Sequence, residues 1–211
     1  MATVTVYGAP YSTYTRSALL ALREKGVDYA LEMVDIFQPV PPEHIGRQPW
    51  GKIPVLSHDG FEVYETAAVT RYVDEAFPGA SLQPADPKNR ARMIQAIGVI
   101  DSYGYKPIVQ ELFVQRAAMP KFGQPSDEAK IAAALPNAEK ALDALVNIMG
   151  KDDWLAGTFS LADIHFAPVY TYLAMTPEGQ AMLDKRPTLK AWWARMSARP
   201  SMEATKSPLE G

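Results

Sequence analysis

Six hydroxyls crowd into nine residues near the start of the chain: Tyr7, Tyr11, Ser12, Thr13, Tyr14 and Thr15. They lie in YGAPYSTYTRSALLAL, residues 7–22, where a strand-like pattern gives way to an apolar helix. A hydroxyl at such a junction has two uses. It can cap the helix by accepting from a free backbone N–H of the first turn, which is worth about 1 kcal/mol. It can also donate to an anion, because the helix N-terminus carries a partial positive charge. Capping is the plain structural reading of Ser12 or Thr13, and the spacing by itself does not exclude the other.

Composition narrows the chemistry. The 211 residues carry no cysteine, which removes disulfides, thiolate–zinc sites and a cysteine nucleophile. Any thiol chemistry must use a thiol that the protein does not own. Three histidines, His44, His58 and His165, are scattered along the chain, so a histidine-rich metal site is not expected. The net charge of −3 offers no basic excess for nucleic acid or an anionic membrane. No apolar run is long enough to span a bilayer, and MATVTVYGAP lacks the regions of a signal peptide. The expectation is a cytoplasmic protein with no nucleic-acid or membrane partner and no metal.

The elements that must hold these residues follow from pattern. Thr3–Tyr7 alternates as a strand, and Gly8-Ala9-Pro10 breaks it. Ala18, Leu19 and Leu22 make the buried stripe of a helix that ends at Lys25-Gly26. Tyr29–Ile36 reads as a second strand, parallel to the first. Residues 37–50, with Pro39, Pro41, Pro42 and Pro49, read as a loop. Ile53–Leu56 is a short strand with a proline inside, so it is expected at an edge or a bend. Asp59-Gly60 turns it into the antiparallel strand Phe61–Tyr64. A helix over Glu65–Phe77 stops at Pro78-Gly79, and residues 78–86 form a linker. Beyond it the strand signal vanishes. Helices are expected near 87–118, 126–149, 160–174, 177–184 and 187–198, with Pro107, Pro136 and Pro168 kinking or dividing three of them. Ser160-Leu-Ala-Asp163 has the form of a capping box, with Phe159 and Ile164 placed to staple it. Trp192, Trp193 and Met196 read as core. The fold class is an α/β domain over 1–80, then an all-helical domain over 87–211.

That order of elements, with GRQPWGKIPVL, FEVYET and WLAGTFSLADIHFAPVY, resembles the cytosolic glutathione transferases over nearly the whole chain. STYTRSALLALREKGVDYALEMVDI is similar to their serine-type plant and bacterial branch, and Gln48 stands where the family has asparagine. The resemblance implies a thioredoxin-like first domain that binds glutathione. Glutathione brings a thiol, two carboxylates and an amine. Its thiol titrates near about 8.5 when free, so a hydroxyl donor beside a helix N-terminus would favour the thiolate.

Residue by residue, the resemblance puts Ser12 at the donor to sulfur, with Tyr7 as the alternative. Tyr11 and Tyr14 would flank the second-substrate pocket. Ile53-Pro54 matches a cis-proline turn that would offer the Ile53 peptide groups to the ligand. Lys52 would reach the glycine carboxylate, with His44 a weaker candidate for the same group. Glu65 and Thr66 would hold the γ-glutamyl amine and carboxylate, and Asp101 could reach that amine from a partner subunit. Tyr103, Tyr105 and Phe113 either face the electrophile or pack in the helical core. The implied protein is a homodimeric glutathione transferase that adds glutathione to a hydrophobic electrophile, or reduces a peroxide, with glutathione as co-substrate and no tightly bound cofactor. The alternatives are a glutathione-dependent dehalogenase, ether-cleaving enzyme or isomerase, or a non-catalytic ligand carrier. A cysteine-using reductase role is disfavoured because the chain has no cysteine.

Overall fold

A computed structural model describes residues 4–210, so Thr3, the expected start of the first strand, lies outside the described residues. The chain divides into two units: residues 1–82 with 199–211, and residues 83–198.

In the first unit β1 (Val4–Gly8) buries Val4 and Val6 and turns Thr5 and Tyr7 to its other face. α1 (Thr13–Glu24) follows, burying Ala18, Leu19, Leu20 and Leu22. It ends at Lys25, with Gly26 in the left-handed region at φ +67°. β2 (Ala30–Met33) pairs parallel with β1. It is an exposed edge strand and stops three residues short of the expected Ile36. The expected loop 37–50 contains a short helix, α2 (Pro42–Arg47). Proline is tolerated in a helix's first turn, where its missing N–H costs nothing, so Pro42 opens this helix.

β3 (Val55–His58) and β4 (Phe61–Tyr64) form a hairpin, and the sheet order is β2-β1-β3-β4. The turn places both Asp59 (φ +49°) and Gly60 (φ +84°) in the left-handed region that a tight hairpin needs. The expected strand Ile53–Leu56 is shifted by two residues. β3 is interior, between β1 and β4, and not at an edge. Pro54 avoids the ladder by preceding it, at the bend, and the Ile53–Pro54 peptide is cis. α3 (Thr66–Ala76) completes the thioredoxin-like order.

Two polar devices tie this unit together. Lys25 Nζ donates to the Asp74 carboxylate at 3.1 Å and to the carbonyls of Asp74 and Ala80, with both side chains almost fully buried. Asp74 also accepts from the Leu82 N–H at 2.8 Å. The last turns of the chain latch onto α1. Arg199 and Ser201 bind Glu24, and buried Arg16 binds Glu210 and the Met202 carbonyl. Burial alone would raise the Glu24 pKa, but the Arg199 and Ser201 hydrogen bonds outweigh it and hold the carboxyl low. The expected helical domain 87–211 therefore loses its last residues, which belong with the first unit.

The second unit is all helical. α4 (Pro87–Val99), capped by Asp86, runs into wider π-type turns over Ile100–Gly104 and Lys106–Ala118, then a single turn, α5 (Met119–Lys121). The sequence period gives no warning of the wide turns. Pro107 does not divide this path, and Pro136 and Pro168 lie inside α6 (Glu128–Met149) and α7 (Leu161–Ala174), which run through them. α8 (Pro177–Asp184) and α9 (Pro187–Ser197) pack around α7, and α10 (Pro200–Ala204) belongs to the first unit. Trp192 and Met196 are fully buried, and Trp193 stacks on Tyr170 at 4.5 Å.

The capping box forms. Asp163 accepts from the Ser160 N–H and hydroxyl, and also from the Leu155 N–H and Trp192 Nε1. Complete burial pushes its carboxyl up to about 6 in spite of these donors. Asp163 is thus a structural acid that ties the start of α7 to α9. Phe159 lies edge-on to Trp154.

Candidate functional site

Sheet register decides which candidates can meet. Tyr7 pairs with Val55, and Val55 pairs with Tyr64. The residues after Tyr7, before Val55 and after Tyr64 therefore leave the sheet at one end. Those three segments carry Ser12, Lys52-Ile53-Pro54 and Glu65-Thr66. Ile53 also packs with Ala9, Val34, Tyr7 and Tyr11, which joins its segment to the β1–α1 loop.

The hydroxyl cluster separates into distinct roles. Thr15 is fully buried, and its Oγ1 accepts from the Ala9 N–H at 3.3 Å. Gly8 allows that approach, since a Cβ there would sit 2.5 Å from Thr15 Oγ1. Ser12 is the N-cap of α1: its Oγ accepts from the Thr15 N–H at 3.2 Å. Capping uses only a lone pair. The Ser12 O–H has no acceptor among the described residues and is partly open to solvent. Tyr7 sits on the opposite face of β1 from the buried valines, with the Arg47 guanidinium 4.2 Å above its ring. Arg47 in turn pairs with Glu62 at 3.0 Å. Tyr11 stacks on Phe37 at 5.6 Å, and burial, with the Asp35 charge, raises its phenol pKa. Tyr14 is half-buried on the first turn of α1.

The Lys52 segment is held from α2. Lys52 is exposed and its ammonium makes no ion pair among the described residues. Ile53 stands outside the ladder, so the sheet does not use its peptide groups. His44 does not reach outward as expected: it is 1% exposed, with Nε2 2.8 Å from the Lys52 carbonyl. A buried ring held on a backbone carbonyl does not contact a solvent-borne carboxylate.

The Glu65-Thr66 step is strained. Glu65 has φ +66°, the left-handed region, and a non-glycine residue there costs on the order of 1 kcal/mol or more. Its carboxylate makes no capping bond and is exposed. Thr66 is buried at the first turn of α3, where backbone N–H groups lack helical partners.

The remaining candidates belong to the helical unit. Asp101 lies beside its own chain's His165, with Oδ1 4.0 Å from Nδ1. Phe113 is core, stacked on Tyr172 at 4.0 Å. Tyr105 is half-buried and its phenol pKa is raised by burial. Tyr103 is exposed and lines a cavity of about 750 Å³ with Ser102, Lys106, Glu111, Asn137 and Lys140. Two further residues hold these segments without having been marked as candidates: Arg47, over the Tyr7 ring, and Gln48, whose Oε1 accepts from the Trp50 and Lys52 N–H groups. A polar amide before Pro-x-Gly was the available signal for Gln48.

Relatives give this geometry its setting. Residues 6–81 match the glutathione S-transferase N-terminal domain model, and residues 109–200 match the C-terminal domain model. Glutathione S-transferase F6 of Arabidopsis thaliana is 32% identical, covering 96% of this chain and 99% of its own length. Glutathione S-transferase F7 of the same plant is also 32% identical, covering 95% and 98%. The crystal structure of glutathione transferase F7 from Populus trichocarpa superimposes with a TM-score of 0.83 at 31% identity, covering 96% and 97%. A maize glutathione S-transferase I, solved with an atrazine–glutathione conjugate, gives a TM-score of 0.83 at 27% identity, covering 96% of each chain. The chain belongs to the glutathione S-transferase family.

Proposed function

We propose that this protein binds glutathione at the shared end of the β1, β3 and β4 segments and conjugates it to electrophilic small molecules. Register carries the proposal: three segments bearing complementary groups leave the sheet at one place. Thr66, with the free N–H groups of α3, takes the γ-glutamyl carboxylate. Glu65 accepts from the amine. The Ile53 peptide groups pair with the ligand backbone as an added strand would. Lys52 meets the glycine carboxylate. The sulfur is then left near the N-terminus of α1.

At that point Ser12 donates its O–H to sulfur while its oxygen keeps the Thr15 N–H. The thiol proton leaves to solvent, and the thiolate stays in the field of α1. A shift of one to two units corresponds to roughly 1.4–2.7 kcal/mol. The thiolate forms a C–S bond at an electrophilic carbon as the leaving group departs with its electron pair, or attacks a peroxide oxygen as the O–O bond breaks, releasing an alcohol and a glutathione sulfenate that a second glutathione reduces to disulfide and water; catalysis is nucleophile activation plus proximity. Tyr7 is the lesser candidate, because Arg47 covers its ring on the other face of β1. Asp101 is left out, because it faces its own His165. Tyr11 and Tyr14 border the sulfur and contribute to the electrophile's surroundings. The working molecule is a homodimer with no tightly bound cofactor.

The test is calorimetry with glutathione, followed by turnover with an activated aryl halide. Binding in the micromolar to millimolar range with conjugate formation is expected. No heat at millimolar glutathione would refute the proposal. Binding without turnover across a broad electrophile panel would favour a ligand carrier.

A further inference from the structure

Lys52 is an exposed residue whose backbone is fixed from beneath by two buried side chains. Its N–H donates to Gln48 Oε1 at 2.9 Å, and its C=O lies 2.8 Å from His44 Nε2. Gln48 Oε1 also accepts from the Trp50 N–H at 2.8 Å. Gln48 and His44 are 2% and 1% exposed. They are themselves coupled, since the Gln48 N–H donates to the His44 carbonyl at 2.8 Å. A carbonyl can only accept, so His44 carries its proton on Nε2. Its Nδ1 is buried with no hydrogen-bond partner among the described residues. Burying an imidazole and an amide is costly unless they are hydrogen-bonded. Here that cost is offset by bonds that all fall on the segment 50–52. A loop that only had to connect α2 to β3 could satisfy those peptide groups with water.

We infer that His44 and Gln48 are positioning residues: together they clamp both peptide groups of Lys52 and so fix where its ammonium meets the substrate carboxylate. The inference rests on the assignment of Lys52 to the glycine end of glutathione. Neither side chain touches substrate. Their effect is therefore confined to substrates that carry the carboxylate Lys52 recognises.

The experiment compares glutathione with γ-glutamylcysteine, which has the same thiol and γ-glutamyl end but no glycine. His44→Phe keeps the ring's bulk and removes the donor. It should raise KM for glutathione about three- to tenfold, leave kcat within twofold, and leave γ-glutamylcysteine unaffected. His44→Gln, which restores a donor at similar reach, should recover most of the loss. Combined with Lys52→Ala, His44→Phe should add nothing further. Gln48→Met gives the same readout if His44→Phe fails to fold. An equal loss with both thiols, or additivity with Lys52→Ala, would overturn the inference. Loss of fold in both variants also counts against it, because a positioning role leaves the fold standing. If instead Lys52→Ala leaves glutathione KM unchanged, the assignment of Lys52 fails and the inference falls with it. A selective Lys52→Ala effect with silent His44→Phe and Gln48→Met sinks the clamp alone.

Discussion

In the proposed site, single residues divide between holding the fold and a proposed role toward the ligand, and Glu65 shows the tension. Its φ of +66° is unfavourable for glutamate, and its carboxylate makes no capping bond that would compensate. Strain of this kind persists where function requires the side chain. Glycine at this position relieves it. Glu65→Gly is expected to leave the protein as stable or more stable, by up to about 1 kcal/mol, while weakening glutathione binding at least tenfold. Thermal unfolding and calorimetry on one sample measure both. A variant that loses stability and keeps its affinity would contradict the role given to Glu65. Ser12 shows the opposite case: its oxygen caps α1 with a lone pair, which leaves its proton available for the proposed donation to sulfur.

At the scale of elements, the ends of α1 and α3 are joined through a charge pair that water does not reach. Lys25→Met leaves Asp74 buried and uncompensated, and should cost about 3–5 kcal/mol. Urea unfolding should show it, with Asp74→Leu on the same background recovering part of the loss; a change under about 1 kcal/mol would contradict this account of the pair. The elements were largely legible in the sequence. The alternation of Val4 and Val6, the stripe through Ala18 and Leu22, the Asp59-Gly60 turn and the Ser160–Asp163 box each state a local rule that the fold obeys. Misreadings arose where tertiary context overrules local composition. Proline argues against helix interiors but not against helix starts, so α2 was hidden at Pro42. Pro54 argued for an edge strand, yet the ladder simply begins after it. The candidate site was legible as residue types in order. His44 was misassigned because nothing in a sequence says whether a loop histidine points to solvent or to its own backbone. The grouping of Arg199–Glu210 with the first unit depends on contacts between Glu24 and Arg199 and between Arg16 and Glu210, which are far apart in sequence.

For the whole molecule, large apolar side chains stand exposed on both units, among them Trp50, Phe61, Ile94 and Tyr103. The proposed homodimer would remove part of that apolar area from water. Sedimentation at micromolar concentration should give a species of twice the 23.2 kDa chain mass. A monomer that still conjugates glutathione would remove the dimer from the account and leave the site intact. Among the described residues no helix is long and apolar enough to cross a membrane.

Whether Ser12 activates the sulfur of bound glutathione is decided by the pKa of that thiol. It is read from thiolate absorbance in the binary complex across pH, for the wild type, Ser12→Ala and Tyr7→Phe. Ser12→Ala should raise this pKa by about one to two units, slow turnover below it, and change glutathione affinity much less. Tyr7→Phe, which keeps the ring beneath Arg47, should leave it in place. An unmoved pKa in Ser12→Ala, with a rise in Tyr7→Phe, would contradict the claim and hand the role to the phenol.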